Sequence, residues 1–457
     1  MAIVSPSTDL LALLTFLICL LRCCDAGYDV GVYSPIILIP CISCPNLEAR
    51  LTNVYVSSLP RCSALKGKGW FSFWNNTSDL CWKYALEEII NWLLLYFLEH
   101  MRLVYDSALK DYRNLSGVET HVPDFGSAHG FTSKNLDSSH KGFCMTRVLE
   151  ELELLGYRDG DTLFGAPYDP QHAPPLPGQP CPVFSDYFAR FKVLVEHASE
   201  KNQDKLVILI AHSFGGMATL KFINWTPITW RKKLIKHLVL ILPALPGGFM
   251  EALTNLASGP KPLVVPTIPR LSLRPMWRTF ASALLFLPSS PVFGHRPLVI
   301  TKNKNYSAYD YKDFLTAIGL NTEVMQRVLS TKLRVDAPMV LITYLNGVGV
   351  QTPEQAVYWD GNFDVASKNV YGDGDGVMNL VSVLALVNDL HRQQHANIHC
   401  KFIKIVNATH SDIVVQEHSL KKIICQCGIL STYCKDFLKE DFSAVIDKVG
   451  PSPVWEG

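Results

Sequence analysis

The chain has 457 residues, 48% of them hydrophobic, which is ample for a large buried core and more than one minimal domain needs. Its 42 Lys and Arg against 41 Asp and Glu leave a formal net charge of +1. No long basic tract appears, so electrostatics gives no support for a nucleic-acid partner.

In chain order, Leu10 to Leu21 is an apolar run of 12 residues interrupted only by Thr15, then Arg22, Cys23, Cys24, Asp25 and Ala26. A bilayer core needs about 20 residues, so the run suits the hydrophobic region of a signal peptide over residues 1–26, cleaved after Ala26. An uncleaved anchor is the alternative, because no Lys or Arg precedes the run. Ile89 to Leu98 is a second apolar patch, also too short to span. Asn75, Asn76, Asn114, Asn224, Asn305 and Asn407 each open an N-x-S/T sequon, as a secretory-pathway glycoprotein would carry, secreted or retained in a vacuole or the ER lumen. Such a compartment permits disulfides, yet the pairing of 13 cysteines cannot be read from their positions. No CxxC pair has a matching His or Cys pair, so no structural zinc site is expected.

Pro35 to Pro40 (PIILIP) has the profile of a buried strand, an apolar run bounded by prolines. A stretch at about 59–124 breaks the pattern and holds Trp70, Phe71, Phe73, Trp74, Trp82 and Trp92, which read either as core packing or as a lid. Phe184 to Lys201 is helix-like and leads into Lys205 to Ile210 (KLVILI), a second buried strand. A tight turn with Ser213, Gly215 and Gly216 follows, then a helical pattern from Met217 to Asn224. His237 to Leu242 is a third buried strand. From about 249 to 335 prolines punctuate a region without steady period, read as a cap inserted after that strand. Ala337 to Leu345 and Cys400 to Val406 add two further strands. Strands alternating with helical stretches predict an α/β domain over 27–450, a mostly parallel sheet covered by helices on both faces.

Ala211-His212-Ser213-Phe214-Gly215 carries the chemistry. A G-x-S-x-G elbow holds its serine on a strained strand-to-helix turn that needs small neighbours, and Ala211 is small enough to stand for the first glycine. Ser213 could instead merely cap the helix. A serine hydroxyl needs a base, and the base needs an orienting carboxylate, which in hydrolases of this architecture follow in the order Ser, Asp, His. Asp373 and Asp375 stand in the glycine-rich Tyr371 to Val377 loop, and His410 follows the last strand. The DGDG fragment also resembles part of a calcium loop, but no Glu occupies the last ligand position of that pattern. An oxyanion would need two backbone N–H groups, one from Phe214 and one from the loop after PIILIP.

These segments resemble the lecithin:cholesterol acyltransferase-like family, which includes lysosomal phospholipase A2 and plant relatives. The likeness rests on PIILIPCISCPNLEARL (Pro35 to Leu51), MRLVYD (Met101 to Asp106), VETHVPDFG (Val118 to Gly126), FGAPYD (Phe164 to Asp169), AHSFGG (Ala211 to Gly216), NGVGVQTPE (Asn346 to Glu354), YGDGDG (Tyr371 to Gly376) and His410. It implies an α/β-hydrolase core with an inserted cap and lid, and a Ser213–Asp375–His410 triad with Asp375 preferred over Asp373. It implies oxyanion donors at the backbone of Ile42 and Phe214. It further implies an acyl-enzyme that takes its acyl group from a phospholipid at a membrane or lipid-particle surface, with no cofactor. The acceptor would be a lipid alcohol such as a sterol, or water in a phospholipase A. Cys41 and Cys44 stand where the family carries glycine, which opens a Cys41–Cys44 disulfide and a third reading, a catalytically silent lipid-binding protein. The family's lid disulfide corresponds to Cys62, with Cys81 the candidate partner. Tyr344 and Leu386 replace a second bridge of the animal enzymes.

Overall fold

A computed structural model of the chain describes residues 33–56, 66–72, 101–131, 144–175, 180–244, 247–261, 269–320, 335–393, 400–428 and 434. The expected signal segment, Cys62, Cys81, Asn75 and Asn76 lie outside the described residues. Six strands build the central sheet: β1 (Ile36–Ile39), β2 (Leu163–Gly165), β3 (Val207–His212), β4 (Ile235–Ile241), β5 (Leu341–Val348) and β6 (Cys400–Val406). Their order is β6-β5-β4-β3-β1-β2, and every pairing is parallel.

The unbroken apolar runs of these strands follow from burial on both faces. Side chains alternate across a strand, and here both sets find a core. Ile37 and Ile39, Leu209 and Ala211, Leu238 and Leu240 enter one layer. Ile36 and Leu38, Ile208 and Ile210, Val239 and Ile241 enter the other. On the second face lie helices α1 (Thr146–Leu154) and, near the chain end, Glu417–Cys425, through Val148, Leu152, Leu420 and Ile423. On the first lie α2 (Pro182–Lys201) and α3 (Phe214–Trp225), joined by Phe191 stacked on Phe222 at 4.2 Å. Nine of the twelve residues of α3 are buried, so this helix is packed nearly all round and not amphipathic.

The cap region differs from its expected irregularity. It holds α4 (Met250–Ser258) and shorter helices at Arg270–Trp277, Ala281–Leu285, Ser290–Phe293 and Tyr311–Ala317. Pro269 and Pro291 sit at helix starts, where a missing N–H costs little, whereas Pro275 lies inside Arg270–Trp277. Short strands Val299–Ile300 and Asn305–Tyr306 join Val350–Val357 and Lys368–Gly374 in a second sheet of four strands. The strand expected from Ala337 begins only at Leu341, because Pro338 offers no N–H and Met339 adopts φ 58°. Among the described residues no helix is long and apolar enough to cross a membrane.

Cys44 bonds Cys144, not Cys41, and Cys425 bonds Cys434. The Cys44 bridge ties the loop after β1 to the start of α1, a pairing set by the parallel packing of β1 beside β2 and invisible in local spacing. Cys41 stays a buried thiol whose Sγ lies 3.0 Å from that of Cys44, and burial pushes its pKa up.

His237 on β4 is buried between β5 and the segment after Glu417–Cys425. Its Nδ1–H donates to the Gln426 carbonyl at 2.9 Å and Nε2 accepts from Thr343 Oγ1 at 2.9 Å. Burial pulls its pKa from 6.5 down to about 4, so the folded chain leaves it neutral while the unfolded chain protonates it below 6.5. Stability is therefore lost as pH falls from 6.5 toward about 4, by up to about 1.4 kcal/mol per pH unit from this group. Denaturant unfolding across that range should show His237→Gln with a shallower acid loss than wild type; equal slopes would contradict the assignment.

Candidate active site

The site lies at the carboxyl ends of β1, β3, β5 and β6. Ser213 follows β3 with φ 56° and ψ −122°, a conformation that costs an ordinary residue about 1–3 kcal/mol. Neighbouring strands hold it there: its N–H donates to the Ile241 carbonyl and its carbonyl accepts from Ala244 N–H, both at 2.9 Å. The turn also needs bare backbone beside it. A Cβ on Gly215 would meet the carbonyl oxygens of Pro40 and Ile39 at 2.5 and 2.6 Å, and one on Gly216 would meet Pro243 at 2.6 Å. Glycine at these positions is thus a demand of packing as well as of the turn.

His410 comes from the loop after β6. Its Nε2 is 2.9 Å from Ser213 Oγ, and its Nδ1 is 2.8 Å from Asp375 Oδ2. The His410 backbone N–H also donates to the Asp375 carbonyl at 2.9 Å, so the pair is fixed at two points. Asp375 is 1% exposed, and its second oxygen accepts from the N–H groups of Val377 and Met378 at 2.8 and 2.6 Å. Asp373 is exposed and accepts from Gly349 N–H at 2.6 Å, away from His410. Of the two carboxylates in the glycine-rich loop, Asp375 is the one brought to the histidine. An imidazole so placed can take the Ser213 proton while its Nδ1–H donates to the carboxylate.

The loop after β1 lies against the start of α3, as the Gly215 approach to Pro40 requires. It turns at Ile42 and Ser43, with Cys44 N–H donating to the Cys41 carbonyl at 3.2 Å. Tyr168 Oη donates to the Pro40 carbonyl at 2.8 Å from beneath. Ile42 and Phe214 therefore belong to two segments in contact beside Ser213. In the sequence Tyr168 is marked only by its place in the FGAPYD segment. The residues Phe214, Phe286 and Phe249 form a file of aromatic rings with centroids 5.3 and 5.4 Å apart, leading from the elbow into the cap.

Electrostatics at the site works in two directions. Burial would depress the His410 pKa, but the charge and hydrogen bond of Asp375, with the more distant Glu251 on α4, carry it above 6.5. Burial pushes the Glu251 carboxyl upward, with His410 and two cap cations opposing. His212, beside Ser213, is fully buried and burial pulls its pKa down to about 3; its Nε2–H donates to the His410 carbonyl at 3.1 Å. It thus anchors the loop that carries His410 as a neutral group. Neither Glu251 nor His212 stood out in the sequence as a site residue.

The remaining sequons are scattered over the molecule. Asn305 and Asn407 are exposed, Asn407 close to His410 in sequence. The Asn224 amide donates to and accepts from the Asp336 backbone at 2.8 and 3.0 Å, and Asn114 Nδ2 donates to Thr120 at 3.0 Å.

Residues 82–336 match the family described as Lecithin:cholesterol acyltransferase. The chain is 37% identical to "Lecithin-cholesterol acyltransferase-like 1" of Oryza sativa subsp. japonica, over 86% of each chain. It is 30% identical to "Lysosomal phospholipase A and acyltransferase" of Homo sapiens, over 84% of this chain and 88% of that one. To "Phosphatidylcholine-sterol acyltransferase" of Gallus gallus it is 27% identical, over 70% and 76%.

Two outcomes follow from the geometry. Gly215→Ala should destabilise the fold by about 1–3 kcal/mol, because two backbone oxygens must yield; chemical denaturation would read it, and an unchanged midpoint would contradict the packing argument. A fluorophosphonate probe should label Ser213 at a rate that rises as pH passes the raised His410 pKa. Glu251→Gln removes an anion, so this rise should move to lower pH; an unmoved profile would exclude Glu251 from the field at His410.

Proposed function

The chain belongs to the lecithin:cholesterol acyltransferase family, and from that membership we propose that it moves an acyl group from a phospholipid, through Ser213, to a lipid alcohol. The observation that carries this reading is the relay from Asp375 through His410 to Ser213 at 2.8 and 2.9 Å. In the first half-reaction Ser213 Oγ attacks the ester carbonyl and its proton passes to His410 Nε2. Asp375, held by two backbone N–H groups, keeps Nδ1 protonated and offsets the imidazolium charge. The tetrahedral oxyanion is met by the N–H groups of Ile42 and Phe214. Collapse expels the lysophospholipid alkoxide, which takes the proton from His410 and leaves an acyl ester on Ser213. In the second half-reaction the acceptor hydroxyl gives its proton to His410, attacks that ester and restores the serine. None of these steps calls for a cofactor.

The choice of acceptor rests on the surroundings of the acyl ester. The packed rings of Phe214, Phe286 and Phe249 make the surroundings of the elbow apolar, which favours a lipid alcohol over water in the second step. The relative from Gallus gallus is named for transfer to sterol, so a sterol is the first acceptor to offer. Hydrolysis is the second reading, since the human relative is named both phospholipase and acyltransferase. The two disulfides fit an oxidising compartment, and the enzyme is placed in this proposal in the secretory lumen or outside the cell, at a membrane or lipid-particle surface.

With phospholipid vesicles, Ser213→Ala and His410→Ala should lower acyl release about 10⁴–10⁶-fold, and Asp375→Asn about 10⁴-fold, with unfolding midpoints near wild type. Asp373→Asn should stay near wild type; the reverse pattern would move the acid to Asp373. Adding sterol to the vesicles should divert acyl chains into steryl ester. Free fatty acid as sole product would favour the phospholipase reading, and a folded protein inert to both acceptors would favour silent lipid binding.

A further inference from the structure

Away from Ser213, three side chains from distant parts of the sequence converge in the core. Asp111 opens the strand Asp111–Asn114, His172 lies in the loop that follows β2, and Cys181 immediately precedes α2. Their ligand atoms, a carboxylate oxygen, a ring nitrogen and Sγ, all lie within 4.8 Å of one another, and all three residues are buried. His172 is 1% exposed, and neither of its ring nitrogens has a hydrogen-bond partner. An imidazole buried with both nitrogens unsatisfied is costly, and such a group points to a ligand that completes it.

We propose that Asp111, His172 and Cys181 bind a zinc ion that pins the Leu103–Asn114 hairpin to the core beside the active site. The donor set fits the ion. Thiolate, imidazole and carboxylate are zinc ligands, whereas a thiolate disfavours magnesium and calcium. One thiolate and one carboxylate balance the 2+ charge, so the buried complex is neutral and the desolvation penalty of an isolated ion is avoided. Binding replaces the Cys181 S–H by an S–Zn bond and releases that proton to solvent. Cys181 is the N-cap of a helix of 20 residues, whose dipole favours a thiolate there. Tetrahedral ligands on zinc stand about 3.5 Å apart, so the three atoms need draw together by no more than about 1.3 Å from the 4.8 Å bound. A fourth position is left to water.

The loop bearing His172 is already the junction between hairpin and site. Tyr168 holds the Pro40 carbonyl at 2.8 Å, Asp169 accepts from Thr120 at 3.0 Å, and Gln171 Nε2 donates to the Met101 carbonyl at 2.5 Å. A metal at His172 would add a further anchor to this loop. The ion acts as a staple, not as a Lewis acid in acyl transfer.

The test uses the full-length protein washed with chelator and titrated with Zn²⁺ or Co²⁺. One equivalent of zinc should bind, raise the melting temperature by at least about 5 °C, and slow hydrogen exchange across residues 103–114. Co²⁺ should give a thiolate-to-cobalt charge-transfer band that Cys181→Ser abolishes. Should Cys181→Ser fail to fold, His172→Gln must lower metal stoichiometry and shift the cobalt spectrum. Absence of stoichiometric metal and of the band in the wild type would overturn the proposal, as would a band that survives Cys181→Ser. Neither readout depends on acyl transfer, so a failure here is separable from a failure of the Ser213 assignment.

Discussion

The contact between the start of α3 and the carbonyl oxygens of Ile39 and Pro40 governs the site. It exists because Gly215 has no side chain, and it forces the chain after β3 into a turn that an ordinary backbone avoids. The strain at Ser213 is borne by the sheet, through hydrogen bonds to Ile241 and Ala244 on the next strand and its continuation. What the sheet sustains, the turn converts into geometry: a serine raised above the strand ends, with the loop after β1 drawn alongside. A looser elbow would release both at once.

The acid arrives by a different route. Asp375 stands just beyond a strand of the smaller sheet, and its position depends on the crossing of that sheet behind β5. There Gly347 leaves room where a Cβ would meet the Ala408 carbonyl at 2.0 Å and the Asp375 side chain at 3.1 Å. The base loop is tied to the acid by His410 N–H and to the elbow by His212. One hydrogen bond from the His410 backbone N–H and one from the His212 ring to the His410 carbonyl thus hold the histidine before its own ring makes any functional hydrogen bond. The arrangement is pre-organised, which is where a charge-stabilising site draws its advantage over water. Glu251 adds a further anion from the cap, so closing or moving the cap would change the basicity of His410 as well as access to Ser213.

Much of this was legible in the residues. KLVILI and HLVLIL read as buried strands because both faces of a parallel sheet are covered, and the serine turn read as an elbow because strand and helix flank it. Asp375 was separated from Asp373 by family resemblance alone; only burial, the backbone donors and the facing histidine distinguish them physically. The cap helices were hidden because prolines read as breaks are absorbed by them, Pro269 and Pro291 at helix starts and Pro275 inside Arg270–Trp277. The cysteine pairing could not be read from position, where a Cys41–Cys44 bridge stood open, and the observed partner of Cys44, Cys144, is brought near by packing. The same reason kept Asp111, His172 and Cys181 out of view: local motif spacing finds ligands that share a loop and misses those assembled by topology.

The central claim is that an acyl chain resides on Ser213 between donor and acceptor. Mixing the enzyme with phospholipid vesicles, quenching in acid within the first turnover, and mass analysis of the peptide containing Ser213 tests it directly. The account predicts a mass increase equal to the donor acyl group, absent in Ser213→Ala and discharged when a lipid alcohol is added before the quench. Turnover with no adduct on Ser213, or persisting in Ser213→Ala, would contradict it.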